Sequence, residues 1–151
     1  LNPVIRSITG VNLWLLSHSN GRLGTRFLGR PVLLLTTVGR HSGNARTTPL
    51  FYLQEGERIV LVASRAGTSH NPNWYENIAR NPRATVQIAQ RKRDMTARAA
   101  SEAEVAELWP KLVAMFPIWD EFQKRSARTF PVVILEPSGE VLEWRAPSVP
   151  S

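Results

Sequence analysis

The 151-residue chain contains no cysteine, which excludes disulfides, thiol redox chemistry and cysteine-ligated metal. Any redox activity must therefore reside in a bound cofactor. Long apolar runs are missing too. The densest, Val32 to Thr37, is bounded by Pro31 and Gly39, far short of the ~20 residues of a membrane-spanning helix. It reads as a buried strand. Leu1 to Ser17 lacks a charged head followed by a cleavage site, so a cytoplasmic location is expected. His18, His41 and His70 have neither metal-ligand spacing nor an acidic cluster beside them. No Gly-x-Gly-x-x-Gly, Walker loop or nucleophile elbow is present. Acidic residues are also scarce: 12 Asp and Glu stand against 19 Lys and Arg, a net charge of +7. That surplus favours an anionic partner, whether nucleic acid, an anionic membrane surface or a phosphorylated small molecule. Charge alone does not separate the three.

What is present suits one soluble domain over residues 1–151. Hydrophobic residues make up 42% and charged residues 21%, ordinary for a folded protein, and a chain this long buries roughly 70% of its unfolded surface. Residues 1–18 have helical spacing, with Val4, Ile5, Ile8, Val11, Leu15 and Leu16 on one stripe. This helix either caps the core or makes peripheral contact with a membrane, for which Trp14 is suited. Strands are expected over Val32–Thr37, Arg46–Leu53, Arg58–Ser64, Ala84–Ala89, Asp94–Ala99 and Val132–Glu136. Arg58–Ser64 is apolar on both faces, as in a closed barrel. A short helix is expected over Pro72–Arg80 with Asn71 as its N-cap. Ser101 to Glu104 forms a capping box ahead of a helix that Pro110 should kink or divide. Glu102, Glu104 and Glu107 read as its solvated face. Pro117–Ser126 adds a further turn or two, and the tail from residue 138 has no clear pattern. About six antiparallel strands with inserted helices specify an α+β fold, a small split β-barrel.

Three turns carry groups suited to an anion. In Gly39 to Arg46, two glycines expose backbone N–H groups, and Arg40, His41, Ser42 and Arg46 surround them. The stretch suits phosphate or carboxylate, or it is a solvated basic turn. Pro49 cannot donate to a strand ladder, so it marks an edge or an opening in the barrel wall. Ser64-Arg65-Ala66-Gly67 again combines a hydroxyl, a cation and a glycine. The helix bearing Trp74 and Asn77 presents its N-terminus nearby. Trp74 alone reads as core, and Asn77 as a cap or a brace for the barrel.

These residues resemble the deazaflavin-dependent nitroreductase family. The likeness lies in Thr37-Val-Gly-Arg-His-Ser-Gly-Asn-Ala-Arg-Thr-Thr-Pro-Leu50, Val62-Ala-Ser-Arg65, Asn71-Pro-Asn-Trp-Tyr-Glu-Asn77, Met115-Phe-Pro-Ile-Trp-Asp-Glu-Phe122 and Phe130-Pro-Val-Val-Ile-Leu-Glu-Pro137. The resemblance implies a barrel of the FMN-binding split-barrel type that binds coenzyme F420, an 8-hydroxy-5-deazaflavin with a phosphate and a poly-glutamate tail. It implies hydride transfer from the reduced cofactor to quinones, nitro compounds or activated alkenes. Arg40, His41 and Ser42 would then hold phosphate, with Arg46, Thr47, Thr48, Pro49, Leu50 and Phe51 along the cofactor. Val62, Ala63, Ser64 and Arg65 would line the ring, and Asn73, Trp74, Tyr75, Glu76 and Asn77 would complete the pocket. Phe116, Trp119 and Phe122 would press the substrate onto the ring.

Two departures stand out. His41 replaces the lysine usual in the phosphate turn, which would make the grip pH-dependent. Phe51, Phe116, Trp119 and Phe122 stand where the family has tyrosines, leaving Ser64 and Tyr52 as the expected catalytic donors. The alternatives are an FMN-dependent oxidoreductase of related fold and a non-catalytic basic barrel binding lipid or RNA. The aromatics sit on apolar helical faces and do not interleave with arginine, so nucleic acid is not the expected partner. Monomer and homodimer are both compatible with the sequence.

Overall fold

The computed structural model describes the backbone of residues 26–27 and the whole of residues 30–64 and 70–138. The helix expected over residues 1–18, Arg65 and the tail beyond residue 138 lie outside them. Strands β1 (Arg26–Phe27), β2 (Arg30–Val38), β3 (Ala45–Phe51), β4 (Leu53–Glu55), β5 (Arg58–Val62), β6 (Arg83–Ile88), β7 (Arg91–Ala99) and β8 (Val132–Pro137) are joined with helices α1 (Asn73–Arg80), α2 (Glu102–Met115) and α3 (Ile118–Arg125).

Every strand pairing is antiparallel, running β1-β2-β6-β7-β8-β5-β4, with β3 on the other side of β2. β3 and β4 are separated by Tyr52 alone, so they form one bent strand. It leaves β2 at Phe51 and joins β5 at Leu53, which brings the ring of strands back on itself. The single strand expected over Arg46–Leu53 is thus two half-strands with different partners. Among the described residues, β3 pairs with β2 alone, and Pro49 sits on that one-sided segment. A residue without an N–H costs least there.

The two-faced burial read from the sequence has a direct structural cause. Ile59, Leu61 and Ala63 point into the barrel with Leu33, Leu35, Val133 and Leu135. Val60 and Val62 point outward, beneath the helices, with Val132, Ile134, Leu108 and Leu112. α1 contributes Trp74, Tyr75 and Ile78 to the barrel interior.

Three local expectations need correction. The gap between the strands expected over Ala84–Ala89 and Asp94–Ala99 is shorter: strands run on to the Ile88↔Arg91 pair, and only Ala89 and Gln90 turn. Ala89 takes φ of 54° to make it, a conformation costing an L-residue roughly 1–2 kcal/mol, so no glycine signal marks the place. Pro110 does not divide α2, which is one 14-residue helix. The carbonyl of Ala106 loses its donor, but Ala106 and Pro110 are exposed, while Leu108 and Leu112 anchor both halves. The N-cap of α1 is Pro72, with no side-chain cap bond; the Asn71 side chain is engaged elsewhere.

The capping box at Ser101 forms as expected. Glu104, however, is more than part of a solvated face. Its carboxylate accepts both Nη groups of Arg98, at 2.7 and 2.8 Å, and Arg58 at 3.5 Å. Arg98 also donates to Glu136 on β8. The network pins α2 to the sheet. Hydrogen bonding to Arg98, opposed by partial burial and aided by the Ser101 N–H, lowers the Glu104 carboxyl to about 2.

A carboxylate held below its ordinary value stabilises the fold above pH 4.5 and loses that contribution as pH falls towards 2. Glu104→Gln should therefore lower stability on the order of 1 kcal/mol at neutral pH, a figure reduced by partial exposure of the pair. The difference from wild type should shrink as pH falls below 4.5 and vanish only below about 2, as read from urea melts along a pH series. An unchanged difference across that range would show that the carboxylate charge is not what matters.

Candidate functional site

A groove of about 760 Å³ opens between the β2–β3 hairpin and α1, within the roughly 300–1,000 Å³ typical of small-molecule sites. Its lining is Thr37, Gly39, Arg40, His41, Ser42, Arg46, Thr47, Thr48, Pro72, Asn73, Trp74 and Asn77. Three of these residues are basic or imidazole-bearing, and none is acidic.

The hairpin is shaped by its own backbone. The Gly39 N–H donates to the Asn44 carbonyl and the Gly43 N–H to the Gly39 carbonyl, both at 2.8 Å. Gly43 has φ of +73°, which only glycine adopts at low cost. A Cβ on Gly39 would lie 3.0 Å from the Asn44 carbonyl oxygen and 3.0 Å from Ser42 Oγ. The Asn44 N–H donates to Ser42 Oγ at 3.1 Å, so this hydroxyl builds the turn while its own hydrogen stays available. The peptide N–H groups of His41 and Ser42 take no partner among the described residues. They sit on the exposed tip of the turn.

Asn77 fixes the hairpin to the helix. It is 3% exposed. Its Oδ1 accepts the Arg40 N–H at 3.2 Å and Arg40 Nη1 at 3.0 Å, and its Nδ2 donates to Thr37 Oγ1 at 3.1 Å. Arg40 Nη2 reaches Asn73 Oδ1 at 3.4 Å, and Nη1 reaches the Asn73 carbonyl at 3.5 Å. The Arg40 guanidinium is thus shared between the groove and α1. Arg46 makes no ion pair among the described residues.

The structure gathers nine of the residues singled out from the sequence around this groove: Arg40, His41, Ser42, Arg46, Thr47, Thr48, Asn73, Trp74 and Asn77. Others lie elsewhere. Tyr52, Tyr75 and Ala63 belong to the barrel core, with Leu50 packed against it. Burial, with the neighbouring Glu76 charge, raises the Tyr75 phenol above its ordinary value, so it stays protonated. Val62 faces the helix-side cluster. Ser64 follows β5, is buried, and its hydroxyl makes no hydrogen bond among the described residues. Pro49 lies on β3, and Glu76 on α1 is half-buried. Phe116, Trp119 and Phe122 pack with Phe51 in the helix-side cluster. The Phe51 and Phe116 rings are 4.4 Å apart, and Phe116 meets Trp119 edge-on at 5.3 Å.

Two residues escaped the sequence reading. Thr37, inside an apolar strand, looks like any β-branched filler until Asn77 is seen to donate to it. Arg128 stands among polar residues with no spacing to distinguish it, yet it bonds to Ala63, Ser64, His70 and Asn71.

A family model described as F420H(2)-dependent quinone reductase matches residues 10–137. The chain is 38% identical to Rv3178 of Mycobacterium tuberculosis over 117 residues, 77% of this chain and 98% of that one. Among solved structures, an F420-H2 dependent reductase, FDR-A, superposes with TM-score 0.66 at 36% identity, over 71% of this chain and 95% of its own. Another, titled a domain-swapped dimer, gives 0.68 at 32% identity, over 84% and 96%.

Asn77→Ala should leave the Arg40 N–H and Thr37 hydroxyl without a buried partner, costing about 2–3 kcal/mol. The loss would appear in equilibrium urea unfolding. A change below about 0.5 kcal/mol would mean that the hairpin is held by its backbone alone.

Proposed function

The chain belongs to the F420H(2)-dependent quinone reductase family, and on that premise we propose how its groove serves the reaction. The protein is an oxidoreductase that passes hydride from reduced coenzyme F420 to a quinone. When bound, the cofactor supplies a deazaflavin ring able to release hydride and a negatively charged phosphate and poly-glutamate tail.

The single observation that carries the assignment of the groove is its one-signed lining. An anion entering it meets Arg46, His41 and Ser42, the last two with peptide N–H groups that take no partner among the described residues, and no carboxylate lines the groove. Guanidinium and backbone donors converging on one group are the strong kind of anion contact. The bare Gly39 position lets the turn close tightly beneath that group. These residues fit the cofactor's tail. Arg40 shares in the contact while its bonds to Asn73 and Asn77 hold the turn in place. Thr47 and Thr48 continue along β3 beside the tail. Asn73, Trp74 and Asn77 form the facing side.

Ser64, at the end of β5, is assigned to the wall nearest the ring, with its Oγ as the hydrogen-bonding group beside the reacting atoms. Tyr52 acts from within the core, keeping the bend between β3 and β4 filled. Phe116, Trp119, Phe122 and Phe51 provide the apolar surface against which a flat acceptor rests. Exclusion of water there preserves the distance and angle hydride transfer requires. Nitro compounds and activated alkenes, which also accept hydride, enter the same reading as alternative acceptors.

Oxidised F420 should quench or shift its fluorescence on titration with the protein, and F420H2 should be consumed anaerobically when a menaquinone analogue is added. Arg46→Gln should weaken F420 binding about 10-fold, equivalent to about 1.4 kcal/mol, with kcat largely retained. Ser64→Ala should lower kcat about 10-fold while the F420 Kd stays within two-fold, since it removes a contact beside the chemistry and not one to the tail. No F420H2 oxidation above background with a quinone panel would end this reading. Unchanged F420 affinity in Arg46→Gln would move the tail out of the groove.

A further inference from the structure

One guanidinium outside the groove ties together the parts that shape it. Arg128 lies in the connection between α3 and β8. Its Nη1 donates to the Ala63 carbonyl at 3.0 Å and to Asn71 Oδ1 at 2.9 Å. Its Nη2 donates to the Ser64 carbonyl at 2.7 Å and to the His70 carbonyl at 3.0 Å. Two of these acceptors directly follow β5, and two directly precede α1. The guanidinium also lies over the Phe130 ring, 4.7 Å from its centroid, which adds a cation–π contact on an otherwise apolar side.

The fork is itself anchored to α3. Gln123 Nε2 donates to the Arg128 carbonyl at 2.8 Å, and Gln123 Oε1 accepts the Phe130 N–H at 2.9 Å. Ser126 Oγ accepts the Arg128 N–H at 3.3 Å. The Pro131 carbonyl meanwhile accepts the Ala63 N–H at 2.9 Å. The exit from β5 and the entry to α1 are therefore cross-linked through the Arg128 side chain, and the Gln123 side chain ties the backbone around it to the helix bearing Trp119 and Phe122.

We infer that Arg128 is a positioning residue of the cofactor groove, setting α1 at the distance from β5 at which Asn73 and Asn77 hold the Arg40 turn. This rests on the reading of the groove as the F420 site. Arg128 does not line the groove, so it acts through α1 and through the backbone of Ser64. Its work needs a planar fork with donors on two edges. Lysine brings the same charge on a point-like ammonium and cannot span acceptors on both segments. The Ala63 and Ser64 carbonyls and the Asn71 Oδ1 that it releases would be partly buried without their charged donor, which favours opening of the segments they belong to.

The test uses the full chain carrying Arg128→Lys, Arg128→Gln or Arg128→Ala. Amide hydrogen exchange is measured first, without any ligand. Peptides spanning residues 70–77 should exchange at least 10-fold faster in each variant, while β6 and β7 keep their wild-type protection. F420 affinity, followed by fluorescence, should fall at least 10-fold in Arg128→Lys even though its charge is kept. Millimolar methylguanidinium should restore part of the affinity of Arg128→Ala, whereas methylammonium should not.

Wild-type exchange at residues 70–77 in a variant that melts cooperatively would overturn the inference. So would faster exchange spread evenly over every strand, because that marks a residue serving general stability. If Arg128→Gln fails to melt cooperatively, Arg128→Lys, which keeps the stem and charge, decides by the same exchange pattern. Should wild type bind no F420, the cofactor reading fails, while the exchange pattern still decides whether Arg128 positions α1.

Discussion

The groove depends on a buried amide. Asn77 sits on a helix that plugs the barrel with Trp74, Tyr75 and Ile78, and its carboxamide faces the end of β2. A carboxamide has an acceptor and a donor end, and here each has a distinct task. Oδ1 takes two donors from Arg40, and Nδ2 satisfies Thr37. Neither a carboxylate nor an apolar side chain of similar size offers both ends. In the barrel's low-dielectric interior such bonds are strong when complete and costly when broken. The hairpin's position is therefore set by the core packing of α1, although the hairpin tip is exposed.

A second constraint is the sorting of charge. The chain has few carboxylates, and the structure commits several of them away from the groove. Glu104 and Glu136 take Arg98, Glu55 takes Lys111, and Asp120 takes Lys124. These pairs tie helices to sheet or stabilise a helix face, and each neutralises a basic residue outside the groove. Arg46, with no ion pair among the described residues, is left with its charge available to whatever enters. Part of the +7 surplus lies elsewhere, as at Arg91, Lys92 and Arg93 on β7, but no acidic residue lines the groove to offset Arg46. The same sorting explains why Glu104 was misread. Its spacing in α2 places it on the polar side of the helix, but that side faces Arg98 on the sheet and not open water.

The barrel was legible because β5 and β8 are apolar on both faces, and such a pattern has few other uses. The groove was legible because glycine, arginine and hydroxyl residues cluster in one hairpin, and nine of the residues marked there do meet. What escaped depends on long-range partners. Tyr52 reads as a hydroxyl donor beside a site, yet it sits in the core at the bend of a strand that changes partners. Sequence spacing gives no sign of such a switch. Asn71 has the composition of an N-cap, but its oxygen is taken by Arg128, 57 residues away. Local chemistry proposed one partner, and the fold supplied a stronger, charged one.

The same reasoning bears on the aromatic residues that stand where the family has tyrosines. Phe116 is held between Phe51 and Trp119, with one ring tilted against it and the other edge-on. A hydroxyl added to any of these rings would have to find a partner within an otherwise apolar cluster, and an unmet one costs about 1–3 kcal/mol. The aromatic surface is thus self-consistent as it stands, gaining from ring geometry what it forgoes in hydrogen bonds. On the proposed reading the cluster contributes shape alone, and polar work beside the reacting atoms falls to Ser64, whose carbonyl is held by Arg128 and whose hydroxyl makes no hydrogen bond among the described residues.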